Sequence, residues 1–262
     1  MESLLFYLIA GALAGILGGL LGIGGGMILV PVLVYTLPAQ GAAPEVVMQT
    51  ALGTSLATIT LTAVSSIRAH HQRGSVPWGL VRQMTPGILI GTLASASLAA
   101  SLPGPILRRG FGLFLLFIAV RSLRPPRQTA RRSLPGTLAL MGAGGIIGLL
   151  SGLVGIGGGS LTMPYLYHRG LELRSAIGAA AACGLPIALA GSLGYLLAGR
   201  HVAGLAPNSS GFLHWPAIAG MGAATLLCAP YGARLAHRLP ERWVRAIFAV
   251  FATLIGLRML WG

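Results

Sequence analysis

The sequence predicts an all-α polytopic membrane protein of two inverted-topology repeats, each opening with a glycine-broken helical hairpin followed by three transmembrane helices. Three observations carry this expectation. The composition is unlike that of a soluble domain, a glycine-rich segment of the first half recurs in the second, and the arginines become one-sided only if the two halves face opposite ways.

Of the 262 residues, 55% are hydrophobic, only 8% are charged and 40 are glycine, whereas about a quarter of a soluble domain is charged. The 18 basic residues stand against 4 acidic ones, a net charge of +14, which in a soluble chain would suggest phosphate binding. Here every basic residue is arginine, and nearly all lie at the ends of apolar segments, where they act as topology signals. Nucleic acid is therefore excluded as a partner and the lipid bilayer is expected. Glu2 stands where a signal peptide would carry basic residues, so the first apolar segment is read as retained in the membrane.

Apolar stretches run at about residues 4–37, 47–67, 78–102, 106–123, 134–167, 176–198, 212–235 and 243–261. Six have the length of one crossing, for which roughly 20 residues are needed. The first and fifth are far longer and are interrupted by glycine, so each is expected to hold two helical pieces. Between them, residues 124–133 include Arg124, Pro125, Pro126, Arg127 and Arg131, the composition of a linker. The expected organisation is a first membrane repeat at 1–123, a cytoplasmic Arg/Pro-rich linker at 124–133 and a second membrane repeat at 134–262.

The repeats are visible as residues. Gly18–Leu33 (GGLLGIGGGMILVPVL) and Ser151–Leu166 (SGLVGIGGGSLTMPYL) agree at 9 of 16 positions, with every glycine of GIGGG kept. A second echo pairs Leu102, Pro103, Arg108, Phe111, Phe114, Ile118 and Arg121 with Leu239, Pro240, Arg245, Phe248, Phe251, Ile255 and Arg258. If each long stretch crossed once, the arginines would divide 10 against 8. If each is a hairpin that returns to the face it entered, 14 arginines share the linker's side and only Arg108, Arg109, Arg200 and Arg258 lie opposite. The positive-inside rule favours the hairpins, and they invert the second repeat relative to the first, as in many secondary transporters.

Glycine reaches positive φ cheaply, so Gly22, Gly24, Gly25 and Gly26, with Gly155, Gly157, Gly158 and Gly159, can break a helix inside the bilayer. Unwound backbone is tolerated there only when packed in protein or lining a cavity. A helix restarting at Met27 or Ser160 would point free N–H groups and a positive dipole end at that cavity, which suits an anion. Ser160 adds a hydroxyl where the first repeat has Met27. Tight helix packing by small residues is the competing reading of these glycines. On the next apolar stretch, Gln49, Thr50, Thr54, Ser55 and Thr58 form a polar face at helical spacing. Gln49, Thr54 and Ser55 join the candidate substrate-binding set, and back-bonding of Ser/Thr hydroxyls to their own helix is the alternative.

No Asp occurs, and Glu2, Glu45, Glu172 and Glu241 lie near segment ends, so neither a carboxylate relay nor a metal cage is expected and no cofactor is assigned. His70, His71 and His237 read as interfacial. His168, His201 and His214 also fall at segment ends, and proton coupling through a histidine stays open because this side chain titrates near neutrality.

These residues resemble the TauE/SafE (TSUP) family of sulfite and organosulfonate exporters, whose halves each open with a segment like GLLGIGGGMILVPVL. The resemblance runs through Ala51–Ile59 (ALGTSLATI), Ser192–Gly199 (SLGYLLAG) and the paired LP…R…F ends, and so covers nearly the whole chain. It implies secondary transport, outward and by alternating access, of a small sulfur-containing anion such as sulfite, sulfoacetate or another organosulfonate across the bacterial inner membrane, with no enzymatic activity. Ala179 and Ala180 replace Thr54 and Ser55 in the second half, which leaves the choice of anion open. Two alternatives stand beside this reading: a membrane-embedded sulfur-handling protein using Cys183 or Cys228, and a passive anion channel. A homodimer is a further open expectation.

Overall fold

The computed structural model describes residues 2–21, 25–123, 134–236 and 241–261, with the backbone alone at both ends of the first of these, at 230, 232–234 and 236, and at 241–245. The linker 124–133 and the motif residues Gly22 and Gly24 lie outside the described residues.

The first half forms α1 (Glu2–Leu21), α2 (Gly26–Thr36), α3 (Pro44–Gln72), α4 (Trp78–Ser101) and α5 (Gly104–Leu123). The second forms α6 (Thr137–Val154), α7 (Gly159–His168), α8 (Leu173–Ala198), α9 (Trp215–Ala236) and α10 (Glu241–Trp261). Each long apolar stretch of the sequence thus contains two helices, separated at its GIGGG motif. Helices α3, α4, α6 and α8 are long and apolar enough, by length and composition, to cross a membrane. Leucine-rich faces on several helices stay exposed, including Leu138 at 83% and Ile90 at 66%. Apolar area of this extent suits a surface solvated by lipid.

Helix pairing repeats across the two halves. α1 packs along α9, and the equivalent α6 packs along α4, while α3 meets α8 and α5 meets α10. Small residues let the backbones touch: a Cβ at Gly11 would stand 2.6 Å from Cα of Met221, and one at Gly15 would stand 2.9 Å from Cα of Thr225. Their repeat equivalents, Gly144 and Gly148, press on the main chain of Met84 and Ile88 in the same way. Close approach of this kind replaces the hydrophobic driving force that lipid removes.

Directions follow from the same contacts. Gly11 meets Met221 and Gly15 meets Thr225, so α1 and α9 run parallel. Gly53 meets Tyr195 while Leu56 meets Gly191, so α3 and α8 run antiparallel. Gly112 meets Met259 and Leu260 while Leu116 meets Gly256, and α5 and α10 are likewise antiparallel. Tyr7 on α1 is hydrogen-bonded by Gln40, just beyond α2, so the first stretch folds back to the side from which it started.

Connections differ between halves. Five residues join α3 to α4, whereas residues 199–214 join α8 to α9 and carry a hairpin of β1 (Ser209–Ser210) and β2 (Leu213–His214). Phe212, Leu213 and His214 of this hairpin are buried. The Phe212 amide donates to the Tyr195 carbonyl at 3.2 Å, and a Cβ at Gly53 would lie 2.5 Å from the Phe212 carbonyl oxygen. The hairpin is thus wedged between α3 and α8.

Candidate functional site

The two glycine breaks meet. Gly25, in the left-handed region at φ 71°, precedes α2, and Gly155, at φ 65°, ends α6. These are backbone conformations that glycine adopts without a Cβ penalty. A Cβ on Gly26 would stand 2.7 Å from the Gly155 carbonyl oxygen and 3.1 Å from Cα of Ile156, so the start of α2 rests against the end of α6. The positive end of one helix dipole thereby faces the negative end of the other. Leu52, Ser55 and Ile59 of α3 line this junction: Leu52 lies at Gly155, and Ile59 lies at both Gly26 and Gly157.

Most polar groups of α3 have structural partners. Ser55 Oγ donates to the Gly155 carbonyl at 2.9 Å and pins the second break. Thr54 Oγ1 accepts the His214 amide at 3.0 Å and anchors the hairpin. Thr58 bonds back to the Thr54 carbonyl. Gln49 donates to the Leu102 carbonyl at 3.0 Å, tying α3 to the end of α4, and lines a separate cleft of about 430 Å³ with Glu45, Leu102, Gly104, Val202 and Phe212. The structure therefore brings Ser55 to the break and sets Gln49 and Thr54 towards the end of α3 that carries the hairpin.

The two helix starts are unlike. On α2, Met27 and Leu29 are buried among apolar side chains. On α7, Ser160 Oγ and Thr162 Oγ1 are buried with no hydrogen-bond partner, and Thr162 is fully buried. Thr162 Oγ1 lies 3.0 Å from where a Cβ of Gly158 would stand, and Ile187 of α8 lies 2.5 Å from the same point. Buried hydroxyls normally find partners, so an unpartnered pair at a helix N-terminus is a place where an acceptor would be stabilised. Thr92 and Ser151 hydroxyls are also buried and unpartnered, and the fully buried Tyr195 donates to the Gly152 carbonyl at 3.0 Å.

Sequence reasoning missed Thr162 and Tyr195. Thr162 falls opposite Leu29 in the repeat alignment, a polar-for-apolar difference of the same kind as Ser160 for Met27. Tyr195 lies within SLGYLLAG, whose apolar neighbours conceal its hydroxyl. Cys183 is fully buried and Cys228 half-buried, both as free thiols. His214 is buried against the Tyr7 ring at 5.9 Å, and desolvation holds its pKa below the usual histidine value.

The model of the family described as sulfite exporter TauE/SafE matches residues 7–259. The chain belongs to the TauE/SafE family. It is 33% identical to a "Probable membrane transporter protein" of Haemophilus influenzae over 98% of this chain and 97% of that one. It is 27% identical to the "Probable membrane transporter protein MJ0441" of Methanocaldococcus jannaschii over 97% and 94% of the two chains. YunE of Bacillus subtilis, with the same description, is 29% identical over 62% of this chain and 66% of its own. No solved structure matches the chain. TauE/SafE membership makes this a chain of a membrane transporter family.

Proposed function

We propose that the chain is a secondary transporter that exports a small sulfur-containing anion, of the sulfite or organosulfonate class, across the bacterial inner membrane by alternating access. The observation that carries this reading is the contact of Gly26 with Gly155. Two helix breaks from different halves meet beside the middle of α3, where unwound backbone is tolerable only around a substrate path or within packed protein. Neutral donors at the start of α7 suit an anion, and family membership points to sulfite.

The mechanism we propose is rocking of repeat 1–123 against repeat 134–262 in inverted orientation. Two observations support inversion. Helices α3 and α8 occupy equivalent places in the repeats and run antiparallel, and so do α5 and α10. A two-fold relation that makes membrane-crossing helices antiparallel has its axis in the membrane plane.

Reconstitution into proteoliposomes tests the function. Sulfite or methanesulfonate flux is expected to saturate with substrate, which separates a carrier from a channel. Gly158→Val, which crowds Ile187 and Thr162, is expected to abolish flux while the protein still elutes as a folded species. Unchanged flux in that variant would refute the site.

A further inference from the structure

We infer that the substrate site, taken as the proposed anion carrier's, is one-sided and charge-selective: the start of α7, with Ser160 and Thr162, accepts singly charged oxyanions and excludes doubly charged ones. Three observations lead there. The first is the pair of unpartnered hydroxyls. Thr162 is 0% exposed and its Oγ1 faces Gly158, at the N-terminus of a ten-residue helix. Ser160 Oγ, on the first turn, is likewise buried without a partner. Burying a hydroxyl with no partner costs stability, and a ligand rich in acceptors removes that cost.

The second observation is that the first repeat offers no equivalent. Positions matching Ser160 and Thr162 are Met27 and Leu29, both buried, and the start of α2 already abuts the Gly155 carbonyl. Of the two helix starts, only that of α7 therefore offers unpartnered hydroxyl donors.

The third is that the donors at the start of α7 are neutral. The apolar runs forming this region, 26–36, 47–67, 137–167 and 176–198, contain neither arginine nor a carboxylate, and its walls at Gly157 and Gly158 are Ile59 and Ile187. By the Born relation the desolvation cost rises with the square of the charge, about fourfold for a dianion. Hydroxyls and helix-terminal amides offset the cost for one charge, and these runs hold no arginine to offset the second. A sulfonate with a small apolar group and hydrogen sulfite fit. Sulfate, thiosulfate, fully ionised sulfite and sulfoacetate, which carries a carboxylate besides its sulfonate, do not.

The test is competition in proteoliposomes containing the full chain, with labelled methanesulfonate as the transported probe. Unlabelled methanesulfonate is expected to compete at least about tenfold better than sulfate, thiosulfate or sulfoacetate, a difference of about 1.4 kcal/mol. Sulfite is expected to compete well at pH 6 and poorly at pH 8, while methanesulfonate competes equally at both. Thr162→Val should cut methanesulfonate flux about tenfold and Thr162→Ser should restore it, which separates a lost hydroxyl from a lost fold. Equal competition by sulfate and methanesulfonate, or full flux in Thr162→Val, overturns the inference and leaves the carrier standing. No flux of any sulfur anion overturns both.

Discussion

At Gly87 the Met141 carbonyl occupies the space a Cβ would need, whereas around Gly142, on the helix it packs against, nothing lies within 4 Å. Gly87→Ala is therefore expected to lower stability by about 1–3 kcal/mol through overpacking. Gly142→Ala should be neutral or stabilising by up to about 1 kcal/mol, because alanine is the better helix former. Thermal melting in detergent separates the two. Ser55→Ala leaves the Gly155 carbonyl without its donor, a loss of about 1–3 kcal/mol for a buried polar group. His214 gives a pH signature. Burial lowers its pKa in the folded protein, so as pH falls through the ordinary histidine value the unfolded chain takes up a proton that the folded chain refuses. Stability should fall with pH there and level off above it, and His214→Gln should flatten the slope in melting curves. A linear sequence carries none of these environments: Gly87 and Gly142 are both helical glycines in apolar segments, and only their neighbours distinguish them.

Among the elements, α2 and α7 show how far a repeat signal reaches. Both follow a GIGGG motif, both contain a proline, at Pro31 and Pro164, and both are short. Their role in packing differs because Met27 and Leu29 complete an apolar core while Ser160 and Thr162 leave two hydroxyls without partners. The polar face of α3 was legible as spacing, but its partners were not. Thr54 binds the hairpin and Ser55 the break because residues 160 and 100 positions away are brought to them. The hairpin itself was read only as the beginning of the apolar stretch at 212–235. Its burial makes Phe212 a packing residue between α3 and α8, 2% exposed. Phe212→Ala is expected to destabilise the protein by about 3–5 kcal/mol, read as a lower melting temperature with the helical content of the folded form unchanged.

For the whole molecule, topology is the decisive quantity. If the repeats are inverted, the α3–α4 turn and the α8–α9 hairpin lie on opposite faces of the membrane. In a Cys183→Ser/Cys228→Ser background, Gln72→Cys and Ala203→Cys, both at exposed positions, should react with a membrane-impermeant maleimide from opposite sides. In right-side-out spheroplasts the Ala203 variant is labelled and the Gln72 variant is protected until the membrane is broken. Labelling of both from one side would exclude inversion. The arginine distribution, 14 against 4 if the repeats are inverted, favours this arrangement because the energetic preference for arginine on one face acts on each loop separately and is recorded in the linear sequence.

Composition determined a membrane protein, duplicated glycine motifs determined two related halves with a helix break in each, and the motif residues identified the TauE/SafE family. These follow from the sequence because hydropathy and backbone freedom are properties of single residues and short segments. Tertiary structure decided that the two breaks touch at Gly26 and Gly155, that Ser55 is committed to a carbonyl, that the second connection returns into the core as a hairpin, and that Thr162 is left with a buried hydroxyl and no partner. Each of these depends on residues distant in sequence reaching hydrogen-bonding or van der Waals distance. Contact at that range is set by packing of the whole helix bundle, which no local pattern encodes.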